Sequence, residues 1–283
     1  MKIRIALMSL LLALALFFAI AGCGMRKSSE YSGKVKVSGS TTVLPVSQEA
    51  ATQFSDRNPA ARIDVQGGGS SVGIAQLQQG VVEIGNSSRD LDSGEGNGKL
   101  KDHRIAFDVI ALVVHPLMPI SNLSGDEARD IFTGMITNWK AVGGPDEEIV
   151  VVIRDQASGT REMFDKKALG STDEAPVECA PSAIESSSNG VVREIVAATS
   201  NAIGYISYGY VDRRLKAISF NGAPPTVVNA GTGRYSIARY LHMFTRGEPK
   251  GAVKGYLDFV LSDRFQREIV ATEYVPVKDV KIK

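Results

Sequence analysis

Short apolar segments alternate with helical patterns along most of the chain, and this alternation constrains the fold more than any other feature of the sequence. The segments are rich in β-branched residues, and most are followed by a loop and then by helical spacing, which is typical of βαβ units. Strands are predicted at 34–38, 62–66, 81–85, 105–114, 149–153, 203–207 and 215–220. The sequence therefore predicts an α/β fold with mostly parallel sheets flanked by helices.

The helical segments have recognisable start and stop signals. Pro45 is tolerated in the first turn of the first helix, and Asn58-Pro59 ends that helix. Ser124 and Glu127 have the spacing of a capping box, which predicts a helix that continues to Gly134. Other helices are predicted before Gly80, after Thr160, and over 189–200, 235–246 and 251–271.

The N-terminus has the features of an export signal. Two basic residues precede an uncharged run at 5–20, which is shorter than the roughly 20 apolar residues that span a membrane. Two small residues then precede Cys23, which resembles a bacterial lipoprotein cleavage site. We therefore predict that residues 1–22 are removed, that Cys23 carries lipid, and that 23–33 form a flexible tether. An ordinary signal peptide with a chance cysteine, or a short anchor helix, would contain a similar apolar run.

Charge and cysteine content exclude several function classes. The full chain has 32 basic and 31 acidic side chains, and loss of residues 1–22 removes two basic ones, so the balance becomes 30 − 31 = −1. A near-neutral chain without a basic run is a poor candidate for nucleic-acid binding. With lipid on Cys23, Cys179 is the one thiol left, so neither a disulfide nor a two-cysteine metal site is expected. Three scattered histidines predict no metal centre, and no cofactor is indicated.

Three loops share one composition and one position, between a strand and a helix. They are Gly39 to Thr42, Gly67 to Ser71, and Ala157 to Thr160. At a helix start the backbone N–H groups lack partners and the macrodipole adds roughly half a positive charge, while glycine allows an oxyanion to approach closely. Because Ser and Thr also cap helices, a single such loop would indicate capping alone. Three of them at the carboxyl ends of strands predict a site that encloses a small tetrahedral anion.

Two arginines accompany the third loop. Arg154 lies at the end of the strand at 149–153, where a guanidinium can form bidentate, charge-assisted bonds to phosphate oxygens. The alternative is that it pairs with Asp155 or another carboxylate for structure alone. Arg161 lies at the start of the next helix, where a cation opposes the helix dipole, so it either supports the anion site or points to solvent.

At these residues the chain resembles the phosphate-binding proteins of ABC-type phosphate importers, in their shorter bacterial form. The matching segments are VSGSTTVLPVSQEAATQF, DVQGGGSSVGIAQLQQG, EIGNSSRDL, IFTGMITNW, IRDQASGTREMF, NAIGYISYGYV and MFTRGEP. The resemblance implies a type II periplasmic-binding-protein fold, in which two α/β lobes joined by two hinge crossovers close on inorganic phosphate. It also implies a non-enzymatic, monomeric protein that delivers phosphate to a membrane permease. We expect lobe 1 at 34–108 and 222–283, and lobe 2 at 109–221, with the apolar run 105–114 carrying the chain between them.

The resemblance also implies which residues bind phosphate. Carried over position by position, they are Ser40, Thr41, Thr42, Ser70, Ser88, Arg154, Ser158, Gly159 and Thr160. Longer members of the family have an aspartate, which accepts a proton from the bound phosphate, at the position of Ser88. A serine hydroxyl can also accept a proton but does not repel sulfate as a carboxylate would. Asp90 and Asp155 are nearby candidates for the acceptor.

Rival functions fit parts of the sequence. Gly69-Ser70-Ser71-Val72-Gly73 matches the G-x-S-x-G nucleophile elbow of serine hydrolases, with Ser71 as the nucleophile. Of His103, His115 and His242, only the last follows late enough for the usual triad order, and its apolar neighbours place it in a predicted helix. A binder of sulfate or molybdate, or a phosphate-sensing lipoprotein with the same lobes, would share the anion site.

Overall fold

The structure, a computed structural model, describes residues 29–280. The predicted signal peptide at 1–22 and the predicted lipid site at Cys23 lie outside the described residues. Between residues 29 and 280, no helix is both long enough and apolar enough to cross a membrane. Strands and helices alternate through this part of the chain, as the sequence predicts.

The bounds of the elements follow the chain from Gly33. The strands are β1 (Gly33–Gly39), β2 (Ala61–Gln66), β3 (Ile84–Ser87), β4 (Leu100–Val114), β5 (Asn122–Leu123), β6 (Val150–Arg154), β7 (Ile184–Ser186), β8 (Ala202–Ser207), β9 (Lys216–Phe220), β10 (Ala238–Arg246) and β11 (Val275–Pro276). The helices are α1 (Leu44–Arg57), α2 (Ser70–Gln79), α3 (Gly125–Thr133), α4 (Gly159–Ala168), α5 (Asn189–Ala198), α6 (Val227–Gly231) and α7 (Gly251–Val260). Single helical turns lie at Glu95–Gly98, Trp139–Val142, Tyr208–Tyr210, Asp263–Phe265, Gln266–Val270, Ala271–Glu273 and Val277–Asp279.

The sheet runs continuously through the molecule in the order β2-β1-β3-β10-β4-β8-β6-β7. At one end β1 lies parallel between β2 and β3, and at the other end β6 lies parallel between β7 and β8. In the middle, β10 runs antiparallel to both β3 and β4. The parallel arrangement therefore holds for β1, β2 and β6, the strands that lead into the three loops, while the centre is antiparallel.

Strand β4 belongs to both halves of this sheet. Its residues 100–109 pair with β10, and its residues 110–114 pair with β8. The buried run predicted at 105–114 thus spans the point where β4 changes partners. This long strand carries the chain from one half of the sheet into the other, as expected.

Two large apolar cores lie along the sheet. The first core packs α1 and α7 against β1, β2 and β10 through side chains such as Val35, Phe54, Ile63, Leu241 and Tyr256. The second core packs α3 and α4 against the end of β4 and β8 through side chains such as Leu112, Phe132, Trp139, Phe164 and Tyr205. Tyr235 and Ile237 also pack in the second core. Each core buries one face of its half of the sheet, so each half has the layered packing of an α/β lobe.

The predicted helix at 235–246 is wrong, because this segment forms strand β10. The strand lies between β3 and β4 and is buried on both faces, from Leu241 to Thr245. A strand buried on both faces has a nearly continuous apolar sequence, which its periodicity alone does not separate from a buried helix. His242 is accordingly a fully buried strand residue and not a helix residue.

Other boundaries differ less from the prediction. The third strand begins at Ile84 instead of Val81, since Gly80 adopts a left-handed conformation and Val81 is exposed. The helix predicted at 251–271 stops at Val260, and Ser262 then caps a separate helical turn. The capping box at Ser124 is confirmed, with both reciprocal bonds present.

Candidate functional site

The three Gly-, Ser- and Thr-rich loops meet at one point, between the two halves of the sheet. The backbone N–H of Gly69 donates to the Gly39 carbonyl at 3.0 Å, and the N–H of Ser71 donates to the Ala157 carbonyl at 3.2 Å. The hydroxyl oxygens of Thr42 and Thr160 are 3.1 Å apart. The predicted convergence is therefore present, and the third loop faces the first two from the opposite half of the sheet.

The first loop is buried and is held by the end of β3. Ser40, Thr41 and Thr42 are each at most 7% exposed. Ser40 donates its backbone N–H to the Asn86 carbonyl at 2.9 Å, and its hydroxyl accepts from the Thr42 N–H at 3.2 Å. Gly39 has a φ of 136°, and a Cβ at that position would lie 2.1 Å from the Asn86 oxygen. Only glycine allows β3 and this loop to lie so close together.

The second loop places Ser70 inside the molecule. Its hydroxyl is fully buried, accepts from the Ser88 N–H at 3.0 Å and lies 3.3 Å from the Ser88 hydroxyl. A Cβ on Gly159 would lie 2.5 Å from the Ser70 hydroxyl and 3.0 Å from the Ser88 hydroxyl. Ser70, Ser88 and Gly159 therefore converge as predicted, and glycine at 159 permits the close approach.

Ser158 serves as the cap of α4. Its hydroxyl accepts from the Arg161 N–H at 3.2 Å, as in an ordinary helix N-cap. Thr160, two residues later, is 1% exposed and faces Thr42. Within the third loop, one hydroxyl satisfies the helix start and another reaches the point where the loops meet.

Arg154 is a buried cation held mainly by backbone carbonyls. Its side chain donates from Nε to the Ser186 carbonyl and from Nη2 to the Ser187 carbonyl, both at 3.1 Å. Its Nη1 is buried and has no hydrogen-bond partner among residues 29–280. No carboxylate in that part of the chain lies within 4.0 Å, so the predicted alternative of an ion pair with Asp155 is wrong. Burial lowers the pKa of Arg154 because it disfavours the charged form.

Arg161 supports Arg154 instead of pointing to solvent. It is 8% exposed, and its Nη1 donates to the Arg154 carbonyl at 2.9 Å. Its Nε lies 3.3 Å from Asp165, whose pKa is raised to about 6 by burial. The sequence left open whether Arg161 supports the site or points to solvent, and its contact with the Arg154 carbonyl favours the first of these roles.

The candidate proton acceptors occupy different environments. Ser88 is 1% exposed and lies against Ser70 and Gly159. Asp90 has a side chain that is 74% exposed and faces His242 at 3.6 Å. Asp155 is half-buried, and burial raises its pKa. Ser88 contacts the second and third loops through side chains at the point where they meet, whereas Asp155 contacts the third loop only, through the Ser158 N–H.

A buried ion pair that was not predicted from the sequence lies below the loops. Arg239 on β10 and Asp108 on β4 are opposite each other in the strand register, and Nη2 of Arg239 lies 2.8 Å from Asp108 Oδ2. One hydrogen of this Nη2 is directed at Asp108, and the other is shared between the hydroxyl oxygens of Thr42 at 3.2 Å and Thr160 at 3.0 Å. The charge of Asp108 within the apolar run 105–114 was an available signal, because a buried carboxylate needs a partner.

Asn189 is a second missed residue. It begins α5, and its amide nitrogen donates to the hydroxyls of Thr42 at 3.0 Å and Thr41 at 3.4 Å. Its amide oxygen accepts from the Ser207 N–H at 3.1 Å. The first loop is thus hydrogen-bonded to a helix that packs against β6 and β8, in the other half of the sheet.

A cluster of ion pairs lies beside the converging loops. Arg89, just after β3, is 2% exposed and pairs with Glu95 and with Glu162 of α4, each at 2.6 Å. Lys166 of α4 contacts Glu162 at 2.9 Å and Asp92 at 3.4 Å. These contacts join the segment after β3 to α4, so they connect the two halves of the sheet.

The residues of a serine hydrolase do not meet in this part of the chain. The Ser71 hydroxyl accepts from Arg89 at 3.2 Å. His103 bonds the Thr245 hydroxyl, His115 accepts from the Leu117 N–H, and His242 bonds Asp102. Ser71 therefore lacks a histidine partner among the residues that the structure describes, and this disfavours its predicted role as a nucleophile.

Comparisons with known proteins agree on the kind of protein that the chain resembles. A family model described as a PBP superfamily domain matches residues 26–264. The phosphate-binding protein PstS of Bacillus subtilis (strain 168) is 38% identical over 295 aligned positions, which cover 99% of this chain and 96% of the relative. PstS of Borreliella burgdorferi is 30% identical, with 89% and 93% of the two chains covered.

Solved structures show the same similarity in three dimensions. A putative phosphate ABC transporter substrate-binding protein from Clostridium perfringens, crystallised with bound phosphate, has a TM-score of 0.81 and 36% identity. The match covers 87% of this chain and all of that one. An ABC-type phosphate transport receptor from Vibrio cholerae has a TM-score of 0.72 and 34% identity, with 85% and 99% of the chains covered.

Proposed function

Because the chain belongs to the PstS family of phosphate-binding proteins, within the PBP superfamily, we propose that it captures inorganic phosphate between two lobes and delivers it to an ABC importer. The relatives that support this proposal are named as phosphate-binding proteins, and one of them was crystallised with phosphate. The type II periplasmic-binding-protein fold of the family encloses its ligand between lobes, where the three loops of this chain meet.

The observation that carries the proposal is the buried guanidinium of Arg154 beside three converging helix starts. Its charge is balanced by no carboxylate within 4.0 Å among the described residues, and its Nη1 has no partner there. A buried cation without a counter-ion is costly, and a bound oxyanion removes that cost. Backbone N–H groups and hydroxyls at the loops supply further donors, which suit a small anion with several oxygens.

We assign the phosphate ligands as the sequence predicts. The proposed donors share burial and a position at the converging loops, and they are Ser40, Thr41, Thr42, Ser70, Ser88, Arg154, Ser158, Gly159 and Thr160. The backbone N–H of Ser158 already donates to the Asp155 carbonyl at 3.1 Å, so Ser158 would contribute its hydroxyl, which accepts from the Arg161 N–H and keeps its own hydrogen to donate. Gly159 would contribute its backbone N–H. Thr160 would contribute its hydroxyl directly, and Thr42 would support it from the opposite lobe, since the two hydroxyl oxygens are 3.1 Å apart.

A second candidate ligand is another oxyanion, such as sulfate or molybdate. The observation that favours it is Ser88, a hydroxyl at the place where longer relatives have a carboxylate. Phosphate carries a proton near neutral pH and sulfate does not, so a buried carboxylate would repel sulfate while accepting the phosphate proton. The Ser88 hydroxyl can accept a hydrogen bond from the protonated phosphate oxygen without repelling sulfate.

The lobe boundaries are also part of the proposal. The first core supports a lobe 1 built from 34–108 and the C-terminal segment, and the second core supports a lobe 2 that begins at 109. Because Tyr235 and Ile237 pack in the second core, we place the return crossing near Ala238 instead of 222. The hinge would then consist of β4 and the start of β10.

The proposed cellular location rests on the N-terminal sequence. A signal peptide at 1–22, lipid on Cys23 and a tether that follows it would hold the chain at the outer side of a bacterial membrane as a monomer, next to its permease. The tether is shorter than the predicted 23–33, because Tyr31 packs against Phe54 of the first core and β1 begins at Gly33. A Cys23→Ser variant should then appear in the soluble extracytoplasmic fraction, whereas the wild-type chain stays with membranes. Equal membrane association of both chains would contradict the lipid anchor.

Isothermal titration of residues 29–283 with phosphate, sulfate and arsenate tests the ligand. We expect phosphate to bind in the micromolar range or tighter, without release of any reaction product. If sulfate bound with the same affinity as phosphate, the proposed function would change from phosphate capture to general oxyanion binding. No heat with any of the three anions would refute the proposal.

A further inference from the structure

The ion pair of Arg239 and Asp108 lies directly below the proposed phosphate site, and neither partner belongs to the predicted ligands. Both side chains are 1% exposed, and Asp108 is also bonded by the Ser207 hydroxyl at 2.7 Å. Because the carboxylate balances the guanidinium, the pair adds little net charge to the site. What distinguishes it is the contact of one guanidinium nitrogen with the hydroxyls of both Thr42 and Thr160.

The hydrogen bonds around Thr42 determine where its hydroxyl hydrogen points. A threonine hydroxyl has one hydrogen and two lone pairs. One lone pair of Thr42 receives the Asn189 N–H at 3.0 Å, and the other faces the Arg239 N–H at 3.2 Å, which Thr42 shares with Thr160. The amide of Asn189 cannot be turned round, because its oxygen accepts from the Ser207 N–H. Thr42 must therefore donate its hydrogen, and the Thr160 oxygen is 3.1 Å away.

The same count then applies to Thr160. Its two lone pairs receive the Thr42 hydroxyl and the Arg239 N–H at 3.0 Å. Its own hydrogen has no acceptor among residues 29–280. We propose that Arg239 is a positioning residue of the anion site, which orders the Thr42 and Thr160 hydroxyls so that Thr160 acts only as a donor to the bound anion. This inference rests on the proposed function.

A donor-only hydroxyl at Thr160 would determine which oxygen of the bound phosphate faces it. A hydroxyl that can only donate prefers an unprotonated anion oxygen, which is a stronger acceptor than an oxygen that carries hydrogen, and it cannot accept the proton of the latter. The proton of a bound phosphate would then face another part of the site, where Ser70 and Ser88 keep acceptor capacity. Arg239 would thus set the orientation of the ligand without touching it.

A double-mutant cycle tests whether Arg239 acts through Thr160. Arg239→Lys keeps a charge opposite Asp108 but presents no planar fork to the two hydroxyls. We expect it to weaken phosphate binding about tenfold in the wild-type background, the scale of one hydrogen bond to a charged group. In a Thr160→Val background, where the hydroxyl is absent, the same change should have no further effect. Thr160→Ser, which restores the hydroxyl, should restore the wild-type Kd and the sensitivity to Arg239→Lys.

Controls separate this inference from folding and from the proposed function. Arg104→Lys, at a half-exposed arginine on β4, should leave the phosphate Kd unchanged. If Arg239→Lys does not fold, Arg239→Gln with Asp108→Asn keeps the hydrogen-bonded pair without charge and enters the same cycle. Equal losses in the two Thr160 backgrounds, or no loss in either, would overturn the positioning role while leaving phosphate capture intact. A wild-type chain that binds no phosphate would refute both.

Discussion

At the scale of single residues, a buried arginine without a carboxylate partner is the feature that supports the proposed anion site. Between residues 29 and 280, Arg154 is held by two backbone carbonyls and by no carboxylate, whereas Arg239 is matched by Asp108 and Arg89 by Glu95 and Glu162. An unmatched buried cation lowers stability unless a ligand compensates it. This comparison supports the proposal that Arg154 binds the ligand, while Arg239 and Arg89 form structural ion pairs.

Replacing Arg154 should therefore affect ligand binding strongly. Arg154→Ala is expected to weaken phosphate binding by about 1.5–3 kcal/mol, the scale of a charge-assisted hydrogen bond. Isothermal titration measures the change, with Arg104→Ala on β4 as the matched control. The same phosphate Kd for Arg154→Ala and the control would show that Arg154 does not contact the anion.

Asp165 predicts a pH dependence of stability that is independent of phosphate. Burial raises its pKa from 3.8 to about 6, so the folded protein binds more protons than the unfolded chain in that window. This contribution to stability is complete below pH 3.8 and is lost as the pH rises through about 6. Asp165→Asn, which stays uncharged, should be more stable than wild type by about 1–3 kcal/mol at neutral pH.

Urea unfolding at several pH values measures this difference. The free energies of unfolding of wild type and Asp165→Asn should converge towards pH 4 and separate as the pH rises. Asp130→Asn, at another acidic residue of lobe 2, serves as the control. A constant difference across the pH range would mean that Asp165 has an ordinary pKa.

At the scale of elements, helix α4 is joined to the segment after β3 by charged side chains. Arg89 and Glu162 form a close ion pair, and the first of them is almost completely buried. Lys166 and Asp92 add a weaker contact between the same two segments. These pairs form only when the two halves of the sheet are close, so they should stabilise the closed state of the proposed lobes.

Glu162→Gln should accelerate phosphate release without removing a proposed ligand. Arg89 keeps Glu95 as a partner, so the loss is limited to about 0.5–1 kcal/mol, and the dissociation rate should rise about two- to fivefold. Stopped-flow measurement at low salt gives the rate. Glu268→Gln, which breaks an exposed pair with Arg264, is the control and should have no effect. An unchanged rate for Glu162→Gln would argue against a role in closure.

At the scale of the whole molecule, the two lobes share β4, and their loops touch with no room for added side-chain atoms. The site of Gly159 shows this most clearly, because a Cβ there would lie 2.5 Å from Ser70 in the other lobe. Gly190, near the start of α5, has space for a Cβ, with its nearest neighbour at 3.8 Å. Two similar glycines thus differ in whether closure depends on them.

Gly159→Ala should hinder closure and leave each lobe folded. We expect at least about tenfold weaker phosphate binding, since overpacking costs about 1–3 kcal/mol. Small-angle X-ray scattering should show a decrease in radius of gyration on adding phosphate for wild type and for Gly190→Ala, but not for Gly159→Ala. A Gly159→Ala protein that compacts and binds like wild type would contradict the proposed closure.

The sequence by itself determined the α/β class, most of the strands and the three loops at helix starts. These features depend on local periodicity, on glycine and on short hydroxyl side chains, which act over a few residues. It also indicated Arg154, because a charge at the end of an apolar strand is a local signal. The family resemblance added the pattern of ligands along the chain.

The tertiary structure alone decided the rest. The sequence of β10 predicts a helix, and only the position of the segment between β3 and β4 shows that it is a strand. Burial on both faces removes the alternation of polar and apolar residues that identifies a strand. Arg239 and Asp108 are 131 residues apart in the chain and meet only through strand register. The direction of the Thr42 and Thr160 hydroxyls depends on that pair, since hydrogen bonds between distant segments exist only after the chain has folded.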